Sequence, residues 1–301
     1  MKRNRGFALL LRSALCGSVS IGSPSASGPS TLFQGREKGK KGMDALVLAA
    51  GFGTRLNPRG CCKPLLPVAK DRVVLDLVCE SLLVPEISTI HVVHNRRWSN
   101  LFRKWKNDLH TDNGERLPRI RLHSTGIDAP HRALGAVADL RWAIEKIGIE
   151  NPFLFLCGDT VLTYRVDQFI ASANYLDVTI VVRNPILGED VSQLGNVDVN
   201  DEGQVENFYE KKVIGSLPVW TGPAIFPSNT NGLIETYLEE NPRSGDNLGR
   251  FISWLLIHFR HEHDSRMVRV WRTEKPSYDV GIPGNLLMLQ QSLKKKEIVS
   301  R

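Results

Sequence analysis

Leu46-Val47-Leu48-Ala49-Ala50-Gly51-Phe52-Gly53-Thr54-Arg55-Leu56, followed by Lys63-Pro64-Leu65-Leu66-Pro67-Val68, is the stretch that decides how this chain is read. An unbroken apolar run from Asp44 to Ala50 that ends in glycine predicts a strand buried on both faces, as in a parallel sheet. Two glycines leaving such a strand let the backbone approach a ligand without Cβ clashes, and their N–H groups can bind phosphate oxygens. Arg55 adds a planar fork suited to a polyphosphate, and Lys63 a mobile point charge. The segment falls at the carboxyl end of the first strand, where open α/β sheets bind ligands. Two other phosphate loops are excluded. Gly-Lys-Ser/Thr is absent, which removes a Walker A loop, and a dinucleotide fingerprint lacks its third glycine at Leu56.

Outward from this point the chain alternates. Val73–Leu83 and Arg97–Leu109 have helical spacing, Ile87–Val93 and Arg119–His123 read as strands, then Arg132–Ile147 as a helix and Phe153–Cys157 as a buried strand. Alternation of this kind builds right-handed βαβ units around a mostly parallel sheet. After a strand at Asp177–Val182 the texture changes. Gly195–Val199 and Gln204–Tyr209 flank Asn200-Asp201-Glu202-Gly203, a hairpin signal. Val219–Phe226 and Met267–Trp271 add strands, and helices are expected near Thr230–Glu240, Leu248–Arg260 and from Pro283, as its N1 residue, to about Lys296. No internal repeat is present.

Composition narrows the class. The chain has 301 residues, 42% hydrophobic and 24% charged, with a formal charge of +7. That surplus lies in residues 1–42, which hold eight basic groups against Glu37 alone; the remainder is balanced. A basic nucleic-acid groove is therefore not expected. No apolar run reaches the ~20 residues of a membrane helix. Residues 1–42 are Ser/Gly-rich and Arg-bearing, and three readings stay open: a transit peptide, a secretory signal, or a start placed too early with Met43 the true first residue. In each case the extension is expected to be disordered and 43–301 to form the catalytic domain. Five cysteines without framework spacing point to reduced thiols.

Further residues extend the pattern. Gly135-Ala136-Val137 opens a helix, Phe153–Cys157 runs into Gly158-Asp159, and the hairpin beginning at Gly195-Asn196-Val197 leads to Glu210-Lys211. Thr221-Gly222-Pro223 follows, then Asp279-Val280-Gly281-Ile282-Pro283. In this order the motifs resemble the sugar-nucleotidyltransferase family, which includes glucose-1-phosphate thymidylyltransferases and mannose-1-phosphate guanylyltransferases. The resemblance covers about Asp44 to Gln291. It implies a three-layer α/β/α fold with a mixed, mainly parallel sheet, and a cytoplasmic enzyme that joins a nucleoside triphosphate to a sugar 1-phosphate, releasing pyrophosphate.

By the same resemblance, Ala50, Gly51, Gly53, Thr54, Gly135 and Gly158 would bind the nucleotide. Arg55 and Lys63 would carry the chemistry, and Asp159 and Asp279 would hold Mg²⁺. Gly195, Glu210, Lys211 and Thr221 would form the acceptor side. Partners would be a nucleoside triphosphate and a phosphorylated small molecule, with neither nucleic acid nor membrane, and self-association stays open. The chain departs from the family pattern where Lys211 is followed by Lys212 rather than proline, and where Arg55 and Lys63 stand two residues closer than in the commonest thymidylyltransferases. A cytidylyltransferase acting on a phosphoryl alcohol or phosphonate, a silent sugar-nucleotide-binding module and an NAD-dependent oxidoreductase are the rival readings.

Two tempting clusters are read blandly. His258, His261, His263 and Asp264 fall at a polar helix end, where solvated side chains suit the dipole. Trp98 and Trp105, seven apart, suit packing better than a stacking platform.

Overall fold

The computed structural model describes residues 42–54, 56–109, 119–186, 189, 191–212, 214–242, 244–282 and 284–299, with side chains to 294. The expected extension (but for Gly42), Arg55, Pro283 and Cys16 lie outside the described residues.

The opening strand β1 (Met43–Ala49) explains why its sequence is apolar from Ala45 onward. Leu46 and Leu48 enter the core on one face of the sheet, while Ala45, Val47 and Ala49 enter the core on the other. Each fully buried Val, Leu or Phe of this kind contributes roughly 1.5–3 kcal/mol, so β1 anchors both layers. A 3-10 turn at Lys63–Leu65 and a small hairpin, β2 (Pro67–Ala69) with β3 (Arg72–Val73), follow the glycine loop. Next come helix α1 (Val74–Ser81), strand β4 (Ile87–His94), helix α2 (Ser99–Asp108) and strand β5 (Arg119–Ser124). Asp76 joins the two helices. Its carboxylate accepts from Val73 N at 2.7 Å, closing the first turn of α1, and from Trp105 Nε1 on α2 at 2.8 Å.

Helix α3 (Ala136–Ile147), strands β6 (Phe153–Cys157) and β7 (Thr160–Leu162), helix α4 (Val166–Ser172) and strand β8 (Val178–Arg183) complete the first half. The second half holds β9 (Gly195–Val199), β10 (Val205–Glu210), β11 (Val219–Phe226), α5 (Thr230–Glu240), α6 (Leu248–His261), β12 (Val268–Arg272), β13 (Ser277–Asp279) and α7 (Asn285–Val299). The hairpin between β9 and β10 forms as expected: Gly203 takes φ +76, and Asn200 Oδ1 accepts from the N–H groups of Glu202 and Gln204.

Nine strands form one sheet, along which β10-β9-β11-β6-β1-β4-β5 are consecutive neighbours; β8 pairs with β11, and β12 with β8. β10 and β11 run against the other seven, so the sheet is mixed and mainly parallel. Helices α3, α5 and α6 cover one face, and α1, α2, α4 and α7 the other. This is the three-layer architecture expected. Three local details differ. The helix expected from Arg132 begins at Ala136, because Pro130–Arg132 forms a separate 3-10 turn and Gly135 sits at φ +95. The last helix begins at Asn285, two residues beyond Pro283, so that proline is not its first residue. Trp98 ends a 3-10 turn ahead of α2 rather than sharing its face with Trp105. Among the described residues no helix is long and apolar enough to cross a membrane.

Candidate active site

The glycine loop leaves β1 at the carboxyl edge of the sheet and folds back on itself. Gly53 has φ +65, and a Cβ there would lie 2.3 Å from the Cys61 carbonyl oxygen, so only glycine fits. Its own carbonyl accepts from Leu56 N and Asn57 N, while Cys61 N donates to Phe52 O at 2.9 Å. Gly51 and Thr54 are exposed on this loop. Cys61 and Cys62 are free, and burial pushes the Cys62 thiol up to about 12, which leaves it a protonated packing group.

Two residues that sequence reasoning missed hold the loop. Asn95, just beyond β4 and 1% exposed, donates from Nδ2 to Ala50 O at 2.9 Å and Gly51 O at 3.4 Å, while its Oδ1 accepts from Trp98 N. Arg97 Nη2 donates to Arg59 O at 2.8 Å on the outer rim. Asn95 stands at a strand's carboxyl end, where polar residues face ligands in this architecture; that position was the available signal.

The two carboxylates meet through a second, small sheet. β13 pairs antiparallel with β7, placing Asp279 opposite Thr160, and Val280 N donates to Asp159 O at 2.9 Å. Lys63 Nζ lies 2.9 Å from Asp159 Oδ2, with both side chains about one-fifth exposed. Asp279 Oδ1 accepts from Gly281 N at 2.6 Å. A Cβ on Gly281 would fall 2.5 Å from Lys63 Nζ and 2.9 Å from Asp279 Oδ1, so ammonium and carboxylate share the space over that glycine. The local field is felt by the buried Cys157 thiol: desolvation raises its pKa, Asp159 and Asp279 raise it further, and Lys63 opposes them. Gly158, with its N–H donating to Leu48 O at 2.7 Å, is pressed so closely on Ala49 that a Cβ would be 3.0 Å from the alanine's.

The remaining sequence candidates divide. Gly135 is locked by its contacts, since a Cβ would lie 2.5 Å from Gly245 O, and Val137 N donates to that same oxygen at 2.8 Å. The turn before α6 thereby caps the start of α3. Thr221 is buried, donating to Val181 O at 3.2 Å; the neighbouring Gly222, at φ +105, faces Thr160 beside Asp159. Gly195 lies beneath the Phe208 ring, where a Cβ would be 2.2 Å from Cζ, so its missing side chain seats that ring. Glu210 Oε1 accepts from Asn247 Nδ2 at 2.9 Å. Lys211 adopts φ +52 and lines, with Glu210, Lys212, Asp246, Asn247 and Arg250, a cleft of about 440 Å³.

Elsewhere, His258 stacks on Trp254 with centroids 4.3 Å apart, and Asp264 is engaged by Arg266. Among the described residues no group of three or more His, Cys, Asp or Glu stands ready for a metal. What the carboxyl edge offers is two acids, an ammonium and a glycine loop.

Comparison with known proteins agrees. Residues 44–294 match the family model described as nucleotidyl transferase, and the chain belongs to that family. A probable mannose-1-phosphate guanylyltransferase 2 from Arabidopsis thaliana is 29% identical over 178 residues, which are 56% of this chain and 46% of the relative. The chain thus matches less than half the length of that curated relative. Among solved structures, UDP-glucose pyrophosphorylase complexed with UDP-glucose has a TM-score of 0.65 at 14% identity, covering 85% of this chain and all of that one. HddC from Yersinia pseudotuberculosis gives 0.62 at 18%, over 83% and 99%. The inositol-1-phosphate CTP transferase from T. maritima gives 0.63 at 17%, over 87% and 98%. These likenesses are of fold.

Proposed function

We propose that the protein joins a nucleoside triphosphate to a sugar 1-phosphate, giving a nucleotide sugar and pyrophosphate. The observation that carries this reading is the convergence of Asp159, Asp279 and Lys63 at the sheet edge below the glycine loop. Bringing two polyanions together demands neutralised charge and an in-line geometry. An acceptor phosphate oxygen attacks the α-phosphorus, the bond from that phosphorus to the bridging oxygen breaks, and pyrophosphate leaves with the electron pair. A phosphate dianion is already deprotonated, so no protein base is required.

Gly51, Gly53 and Thr54 seat the triphosphate through backbone groups, on a loop that Asn95 holds from behind. Arg55 clamps the departing pyrophosphate. Lys63 meets charge building at the α-phosphate, Lys211 takes the acceptor's phosphate, and the Gly135 loop borders the base. Two hard carboxylates with no third protein ligand suit Mg²⁺, which takes one or two acids and completes its shell with phosphate and water. Asp159 and Asp279 would hold it, and when bound it neutralises phosphate charge. Lys63, paired with Asp159, offsets part of the acids' charge without it.

The Arabidopsis relative's name supports a sugar 1-phosphate as acceptor. The deciding experiment is a pyrophosphate-release screen with Mg²⁺, crossing GTP, UTP, dTTP, CTP and ATP with mannose 1-phosphate, glucose 1-phosphate, inositol 1-phosphate, phosphocholine and aminoethylphosphonate. One reactive pair with a sugar 1-phosphate is expected. Reaction only with CTP and a phosphoryl alcohol or phosphonate replaces the acceptor. Binding of nucleotide sugars without any turnover defeats the enzyme reading.

A further inference from the structure

We infer that the acceptor carries a second anionic group, a phosphate or carboxylate away from the reacting phosphate, and that Lys212 and Arg250 recognise it. This rests on the acceptor reading of the cleft but asks more of it. One reacting phosphate occupies Lys211, and the cleft has cations to spare. Lys211, Lys212 and Arg250 all line it, all are exposed, and none has an ion-pair partner among the described residues.

The turn that brings the lysines there is built into the backbone. β10 ends at Glu210, Lys211 takes the left-handed conformation, and its N–H donates to Leu194 O at 3.3 Å, so successive lysines enter one cleft instead of alternating across a strand. Arg250 comes from the first turn of α6, whose cap is made by Asn247 Oδ1 accepting from Arg250 N.

The nearest acid does not cancel this charge. Glu210 is drawn toward the helix: Oε1 takes Asn247 Nδ2, and Oε2 lies so close over Gly249 that a Cβ there would be 1.9 Å away. Its carboxylate is engaged by the start of α6, which leaves exposed Asp246 as the other acid among the described lining residues, against three cations. A neutral sugar would leave Lys212 and Arg250 without work, whereas a bidentate guanidinium beside an ammonium suits a phosphate or carboxylate. At about 440 Å³ the cleft is in the range that holds a small phosphorylated sugar.

Calorimetric titration of the full chain tests this with four probes: glucose 1-phosphate, glucose 1,6-bisphosphate, glucuronic acid 1-phosphate and inorganic phosphate. The doubly anionic sugars should bind at least about tenfold more tightly than glucose 1-phosphate. In the Lys212→Ala, Arg250→Ala double variant that ratio should fall to near one, with the melting temperature within about 2 °C because both side chains are exposed. Preference for the bisphosphate alone assigns a phosphate, and equal preference for the glucuronate assigns any anion. Equal affinities for all sugars, a ratio that survives the double substitution, or no binding of any probe overturns the inference. If the ratio behaves as expected while no pyrophosphate is released with any nucleotide, the cleft assignment stands and the transferase reading falls.

Discussion

Gly281→Ala separates the geometry of the charged cluster over one glycine from the stability of the fold. The new Cβ would lie 2.5 Å from Lys63 Nζ and 3.5 Å from Lys63 Cε, whereas ordinary contacts begin near 3.4 Å. The ammonium, now 2.9 Å from Asp159, must therefore shift by about 1 Å, and Asp279 Oδ1, which would lie 2.9 Å from the same Cβ, must give way with it. A misplacement of about 1 Å costs on the order of 100-fold in a reaction governed by positioning. Folding should barely notice. The φ of Gly281 is outside the left-handed region, so alanine fits the backbone and gains about 0.4–1 kcal/mol by restricting the unfolded chain. Against this stands a weakened, partly exposed ion pair worth up to about 1 kcal/mol. The two nearly cancel, which limits the change in melting temperature to about 3 °C. Steady-state pyrophosphate release should fall roughly 100-fold in kcat, with the thermal transition in place. Retention of kcat within twofold would show that the reaction does not need Lys63 and Asp279 where they now stand, and loss of the cooperative transition would refute the stability reckoning.

Three further outcomes follow from the geometry. Asn95→Ala removes the donor to Ala50 O and Gly51 O and the acceptor for Trp98 N in a buried place; stability should fall by about 2–3 kcal/mol and the nucleotide KM should rise, while an unshifted KM would separate Asn95 from the loop's function. Asp279→Asn withdraws one of the two acids, so half-maximal activity should need at least about tenfold more Mg²⁺; an unchanged titration would remove Asp279 from the site. Burial lifts the Asp139 carboxyl on α3 from 3.8 to about 7, so the folded state keeps a proton the unfolded chain releases. Its contribution is present below pH 4 and lost as pH rises to about 7, and Asp139→Asn should therefore stabilise the protein at pH 8 by up to about 4 kcal/mol, with the gain fading toward pH 4 in denaturant titrations.

Much of the architecture was legible because buried strands and amphipathic helices write their burial into the chain. β6, β9, β11 and α5 begin and end where the apolar pattern does. The elements that escaped notice, β2, β3, β7, β13 and α4, span three, two, three, three and seven residues, too few for a period to show. The same limit governs the site. Motif order suggested Asp159 and Asp279 as a pair, but nothing local says that Asp279 joins a two-stranded sheet opposite Thr160, the residue after Asp159. Nor does spacing reveal that Lys63 reaches Asp159 across 96 residues. Asn95 went unseen because it lacks a motif: its importance is wholly in the carbonyls it faces. Gly195 illustrates the converse, a motif glycine whose visible physical task is to lie under an aromatic ring.

If the proposed function holds, the short pairing of β13 with β7 sets the moment at which the protein becomes competent. Chains leave the ribosome from the amino end and domains begin to fold as they emerge. By Arg272 every strand of the main sheet has been made, yet Asp279 is still to come. A nascent polypeptide halted there, or a fragment clipped between Arg272 and Ser277, owns the whole central sheet and the nucleotide loop but only one of the paired acids. On that reading the arrival of Asp279, rather than completion of that sheet, switches on the chemistry.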